Sequence, residues 1–145
     1  MRRYLTEVLA AGKLDKLDEI VARTFVDRTP GAPGLRGPAA ARRAQQKLRD
    51  AFVKVEYDPQ ALIAEGDQVA VRYLVLATPK PEGGGPPPAP LLLDGMALFR
   101  VGAGRIQEVF VLNDQIGFLR QLGYTLVPPG GGPPPPSAGR PPSRR

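Results

Sequence analysis

The chain has 145 residues and a net charge of +6, and it contains neither cysteine nor histidine. That length fits one domain with a real core and room for one pocket. The missing residues exclude disulfides, thiolate and imidazole metal sites, Ser-His-Asp triads and histidine acid-base chemistry, which leaves carboxylates, Tyr, Lys and Arg as the groups able to do chemistry.

The charge is unevenly placed. Arg140, Arg144 and Arg145 lie beyond Pro128, where there is no acid, so half of the excess belongs to a tail. The remainder has no sustained basic stripe interleaved with aromatics, and nucleic acid is not an expected partner. Met1, Arg2 and Arg3 are followed by Glu7 and Lys13 without a continuous apolar run. Neither a signal peptide nor a membrane span is expected, and the location that follows is cytoplasmic.

Tyr4, Leu5, Val8 and Leu9 recur at helical spacing until Gly12, which predicts a first helix. Leu14, Leu17, Ile20 and Val21 predict a short second one, with Asp15 and Arg23 matched to its dipole. From Asp27 to Gly37 the residues are those of a loop. Pro38 suits the first turn of a third helix, whose apolar face is Ala41, Ala44, Leu48 and Phe52 and whose cations Arg42, Arg43, Lys47 and Arg49 read as a solvated face.

Strands follow. Val53, Val55 and Tyr57 alternate with Lys54 and Glu56, and Pro59 confines that strand to a sheet edge or an end. Leu62 to Ala64 and Val69 to Ala77 flank Glu65-Gly66-Asp67 as a hairpin, and Asp94–Val101 with Arg105–Leu112 form another around Gly102-Ala103-Gly104. The stretch 78–90, TPKPEGGGPPPAP, is too rich in Pro and Gly to pair or pack regularly; it is either a rim over a site or an insertion. Asn113 and Asp114 precede the amphipathic run Ile116, Phe118, Leu119 and Leu122, which stops at Gly123. Either residue can cap that helix. The expected organisation is a domain over residues 1–127 and a disordered tail over 128–145.

In order and spacing, LDKLDEIVARTFVDRTP, LIAEGDQVAVR and DGMALFRVGAGRIQEVFVLND followed by FLRQLG resemble the SnoaL-like polyketide cyclases and ester cyclases, over roughly residues 2 to 123. The resemblance implies an α+β fold of the nuclear transport factor 2 type, a cone-shaped, curved antiparallel sheet packed on N-terminal helices with a pocket at the open end. It also implies cofactor-free acid-base chemistry on a small carbonyl-rich, polyketide-like compound, an intramolecular aldol closure with Asp114 as the acid/base, and pairing of two copies into a homodimer.

On the second hairpin strand, Ile106, Glu108, Phe110 and Leu112 share a face with Asp114 if no bulge intervenes. Phe110 is then an apolar wall, joined by Met96. Arg28 stands where the family often has His; it cannot serve as a base at neutral pH but can bind an enolate or carboxylate. Tyr4, Tyr57 and Tyr73 can each donate into a pocket, or serve as core aromatics with the hydroxyl at a boundary. Competing readings on the same fold are an isomerase or epoxide hydrolase, and a ligand-binding or dimerising domain without chemistry.

Overall fold

A computed structural model describes residues 1–32, 34, 36–81, 85–86, 88–127 and 130. The expected tail over 128–145 lies outside the described residues except for Gly130, as do Glu82 to Gly84 and Pro87 of the Pro/Gly-rich connection. The chain opens with a π-helical segment, Tyr4–Ala10, a 3-10 turn, Leu14–Lys16, and a short helix α1, Leu17–Ile20. The strand β1, Val21–Asp27, leads to α2, Gly37–Ala51, and then come β2, Phe52–Glu65, β3, Gln68–Pro79, β4, Leu91–Gly102, β5, Arg105–Asn113, and α3, Gln115–Gln121.

The five strands make one sheet in the order β1-β5-β4-β3-β2. Every pairing is antiparallel except that of β1 with β5, so the sheet is mixed rather than wholly antiparallel. The strand β1 is also where the helical reading of Val21 and Arg23 gives way: Ile20 ends α1, and Val21 is already extended and paired with Ile106. Val21, Thr24 and Val26 are β-branched, which favours the pleated conformation once β5 offers a partner. Pro59 sits on β2, an edge strand, beside a register shift between Pro59 and Ala61, as a residue without an N–H requires.

One face of the sheet is packed. Val71, Tyr73, Val75 and Ala77 on β3 and Leu91, Ala97 and Phe99 on β4 alternate inward and are buried with Val8, Leu17 and Val21. The helix α2 lies over this face on Ala40 and Ala41, small residues that let its backbone come close. Its Arg49 reaches back to the first helical segment, where Nη2 donates to the carbonyls of Val8 and Leu9 at 3.1 and 2.8 Å. The Val8 carbonyl also accepts the Gly12 N–H at 3.1 Å, and both carbonyls lie at a helix C-terminus, where a cation opposes the helix dipole.

Candidate functional site

The site depends on one irregularity. Between Arg100 paired with Glu108 and Val101 paired with Ile106 the register of β4 and β5 slips, leaving Gln107 as an extra residue. Such a bulge reverses the alternation beyond it. Ile106 is buried, and after the bulge the inward residues are Val109, Val111 and Asn113. Phe110, Leu112 and Asp114 therefore fall on the other parity and are exposed. Asp114 is the N-cap of α3: its Oδ1 accepts the Gly117 N–H at 2.8 Å, against a residue whose lack of a side chain leaves room for the carboxylate. Asn113 does not cap the helix.

Next to β5, at the edge of the sheet, β1 carries Phe25 and Asp27 inward, and Thr29 continues the alternation. Two bonds to β5 fix this end of the strand. The Arg28 N–H donates to the Val109 carbonyl at 2.7 Å, and the Thr29 hydroxyl accepts the Val111 N–H at 3.1 Å. The Thr29 N–H in turn donates to Asp27 Oδ1 at 2.9 Å, which sets the carboxylate's orientation and leaves Oδ2 without a partner among the described residues.

Between these strands and α2 is a cavity of about 280 Å³. Its apolar walls include Leu9, Phe25, Leu48, Val75, Phe99 and Val109, and its polar groups are Tyr4, Asp27, Thr29, Gln45, Tyr57, Tyr73 and Asn113. Among the described residues that line it, Asp27 is the one carboxylate and there is no Lys or Arg. The aromatic rings brace one another edge to face, Tyr57 on Tyr73 with centroids 6.2 Å apart and Tyr4 on Phe99 at 5.6 Å. Burial pushes the hydroxyls of Tyr4, Tyr73 and Tyr57 above the ordinary tyrosine value, and for Tyr4 the charge of Asp27 adds to that effect. All three remain protonated at neutral pH and can act as hydrogen-bond donors.

Across the floor, Tyr73, Gly95 and Asn113 stand in register on β3, β4 and β5. The Tyr73 ring lies over Gly95, and its hydroxyl donates to Asn113 Oδ1 at 2.8 Å. A methyl group on Gly95 would overlap Asn113 Oδ1 and come within 2.8 Å of Tyr73 Cε2, so this bond requires glycine.

Of the residues singled out from the sequence, Tyr4, Tyr57 and Tyr73 meet in the cavity. Arg28, Met96, Phe110 and Asp114 do not line it. Met96 is 54 % exposed on the outer face, and Phe110 follows the parity set by the bulge. The exposed Arg28 reaches Glu108 Oε1 at 3.3 Å, and Arg100 bonds the same oxygen at 2.8 Å. Together they line a shallow depression of about 100 Å³ away from the cavity.

Asp27, Thr29, Gln45 and Asn113 enter the site from segments read as loop, helix face and cap. The alternation Phe25-Asp27-Thr29 was the available signal for the first two. For Asn113 the deciding bulge has no mark in residue type. Among the described residues no group of three or more Asp or Glu side chains is placed to hold a metal ion, and no helix is long and apolar enough to cross a membrane.

The family model for the SnoaL-like domain matches residues 1–109, a span that includes Asp27 and ends before Asn113 and Asp114. Among solved structures, the chain is similar to a candidate polyketide cyclase from Acidithiobacillus ferrooxidans, at 25 % identity and a TM-score of 0.73 over 84 % of this chain and 90 % of that one. It is also similar to IdmH, a candidate polyketide cyclase from Streptomyces antibioticus, at 28 % identity and a TM-score of 0.70 over 83 % and 94 %. A comparison with curated protein sequences finds no match.

Proposed function

Since the chain belongs to the SnoaL-like domain family, we propose that its inner cavity carries out cofactor-free proton transfer and ring closure on a small carbonyl-rich compound, with Asp27 as the acid/base. The observation that carries this reading is the position of Asp27, the one carboxylate among the lining residues of a cavity whose other walls are apolar side chains and uncharged polar groups. A carboxylate in such surroundings is placed to take a proton from a carbon flanked by carbonyls.

The steps balance without a cofactor. Asp27 removes the proton, and the electron pair of the C–H bond passes into an enolate whose oxygen is met by hydroxyl or amide donors of the wall. The enolate carbon attacks a second carbonyl of the same molecule, forming a C–C bond while the C=O pair becomes an alkoxide. Asp27 returns the proton to that oxygen. An isomerase uses the same groups and stops before the C–C bond forms, with Asp27 returning the proton to another carbon.

At about 280 Å³ the cavity is at the small end for ligand sites, which favours a one- or two-ring substrate over a long extended chain. Arg28, Met96 and Phe110 contribute from outside this cavity only through the fold, and Asp114 is assigned to the helix cap. The competing account of Asp27 is structural, an Asx turn holding Thr29. Asp27→Asn separates the two, since the amide oxygen still accepts the Thr29 N–H while the base is gone. Deuterium incorporation into a small cyclic 1,3-diketone in heavy water, followed by mass spectrometry, should fall by about 10²- to 10⁴-fold in Asp27→Asn with melting nearly unchanged. Exchange at the wild-type rate in that variant would remove Asp27 from the chemistry.

A further inference from the structure

The row Tyr73-Gly95-Asn113 has a chemical polarity that the fold alone does not need. A side-chain amide has an acceptor end and a donor end. Asn113 Oδ1 is taken up by the Tyr73 hydroxyl at 2.8 Å, and the Asn113 NH2 has no partner among the described residues although the side chain lines the cavity. The Tyr73 proton is committed to that bond. The cavity floor therefore presents two amide hydrogens at Asn113, held in orientation by a tyrosine that reaches over a glycine.

We infer that Asn113 is the residue that selects the ligand's carbonyl or enolate oxygen, and that Tyr73 and Gly95 are positioning residues that keep its amide turned donor-first into the cavity. The ligand class that follows is a ring ketone or enolised dicarbonyl whose oxygen accepts from Asn113. A ligand offering only a hydroxyl proton at this point leaves the amide hydrogens unmatched. The inference rests on the inner cavity being the ligand site. It does not rest on Asp27 being the base.

The test uses 1-tetralone, a two-ring ketone, and tetralin, the same skeleton without oxygen. Binding is measured by calorimetry, and the carbonyl stretch of bound 1-tetralone by infrared spectroscopy. In the wild-type chain the stretch moves to lower frequency than in an apolar solvent. Asn113→Leu should lose that shift and weaken 1-tetralone by about five- to tenfold, the effect of one hydrogen bond, with tetralin changed by less than about twofold. Gly95→Ala deletes no polar group but separates Tyr73 from Asn113, and it should reduce the shift. Tyr73→Phe keeps the ring and frees the amide to rotate, so it too should reduce the shift with only a small change in affinity.

Wild-type affinity and frequency in Asn113→Leu overturn the inference, as does equal weakening of both ligands, which makes Asn113 a wall. Failure of the wild-type chain to bind 1-tetralone overturns it as well. If circular dichroism shows that Asn113→Leu does not fold, Tyr73→Phe decides, and an unchanged frequency there overturns the positioning role. Asp27→Asn should retain the frequency shift. Loss of the Asp27 assignment in the exchange experiment therefore leaves this result standing, and the reverse also holds.

Discussion

Both faces of the sheet carry rows of apolar residues, yet they are finished differently. On the inner face Val71, Val75, Ala97 and Phe99 are at most 4 % exposed, covered by α2 and the N-terminal helices. On the outer face Ile63, Ala70, Leu98 and Phe110 lie in one row across four strands, and Ile63, Leu98 and Phe110 are 69, 41 and 37 % exposed. The outer face also carries the ion pairs Arg72–Asp94 and Arg100–Glu108, so the apolar row there is set among charges. What distinguishes the inner face is that it is covered along most of its length and admits polar groups at one end, where Asp27, Tyr73 and Asn113 converge. The site is the part of the covered face that the helices leave unfilled.

The sharpest way to break that distinction is to remove the inner carboxylate, and Asp27→Asn carries the largest expected effect, the loss of exchange by about 10²- to 10⁴-fold. The matching change on the outer face should leave chemistry alone and alter assembly. A contiguous bare apolar row is the kind of surface that another protein covers, and the family resemblance makes a second copy of this chain the expected partner. Leu98 and Phe110 are direct cross-strand neighbours. Leu98→Glu replaces the apolar side chain at the middle of this row by a charge in each copy, and should convert a dimer to monomers in sedimentation at micromolar concentration while deuterium exchange stays within about twofold. A wild-type chain that sediments as a monomer removes the second copy from this face.

A smaller effect separates two adjacent residues. Asn113 and Asp114 end the same strand on opposite parities, one on the cavity and one at the helix start. Asp114→Ala should cost about 1 kcal/mol in denaturant unfolding through loss of the cap, and Asp114→Asn close to nothing, because Asn caps about as well as Asp. Neither should change exchange by more than about twofold. A large loss of exchange in Asp114→Asn with unchanged stability would return the acid/base role to Asp114 and overturn its assignment to the cap.

That pair also shows what was readable in the sequence. The hairpins around Gly66 and Gly102–Gly104, the helix after Pro38, the edge position of β2 and the helix after Asp114 all follow from local chemistry: alternation, turn residues, a proline without an N–H and a capping side chain. The α+β class follows from helical stripes that precede the strand patterns, and the family resemblance added the nuclear transport factor 2 type of fold. Two features were not local. The strand β1 is extended because β5 pairs with it from far along the chain, and its few residues beside a helical stripe carry a weak signal of their own. The bulge at Gln107 is a property of the β4–β5 pairing and not of the residue, and it moved the inward set from Phe110 and Asp114 to Val111 and Asn113. A parity argument fails wholly rather than partly when one residue is added, which is why Tyr4, Tyr57 and Tyr73, placed by neither the bulge nor β1, are the ones that meet in the cavity.

The smallest expected effect belongs to the outer side of the bulge, where Glu108 lies between Arg100 and Arg28. The hydrogen bond from Arg100, and next that from Arg28, hold the Glu108 carboxyl below the ordinary glutamate value of 4.5. Folding thus favours its ionised form, and the stability it contributes is present above the range where an unfolded glutamate titrates and is lost as the pH falls through the lower, folded value. Glu108→Gln should melt slightly below the wild-type chain at pH 7, and the gap should close as the pH is taken below 4. A gap that stays constant through that range would mean that packing against the bulge, and not the charge shared by the two arginines, is what Glu108 contributes. Because the pair is exposed and Arg28 is far less well seated than Arg100, salt should shrink the gap at pH 7 while leaving deuterium exchange in the inner cavity untouched.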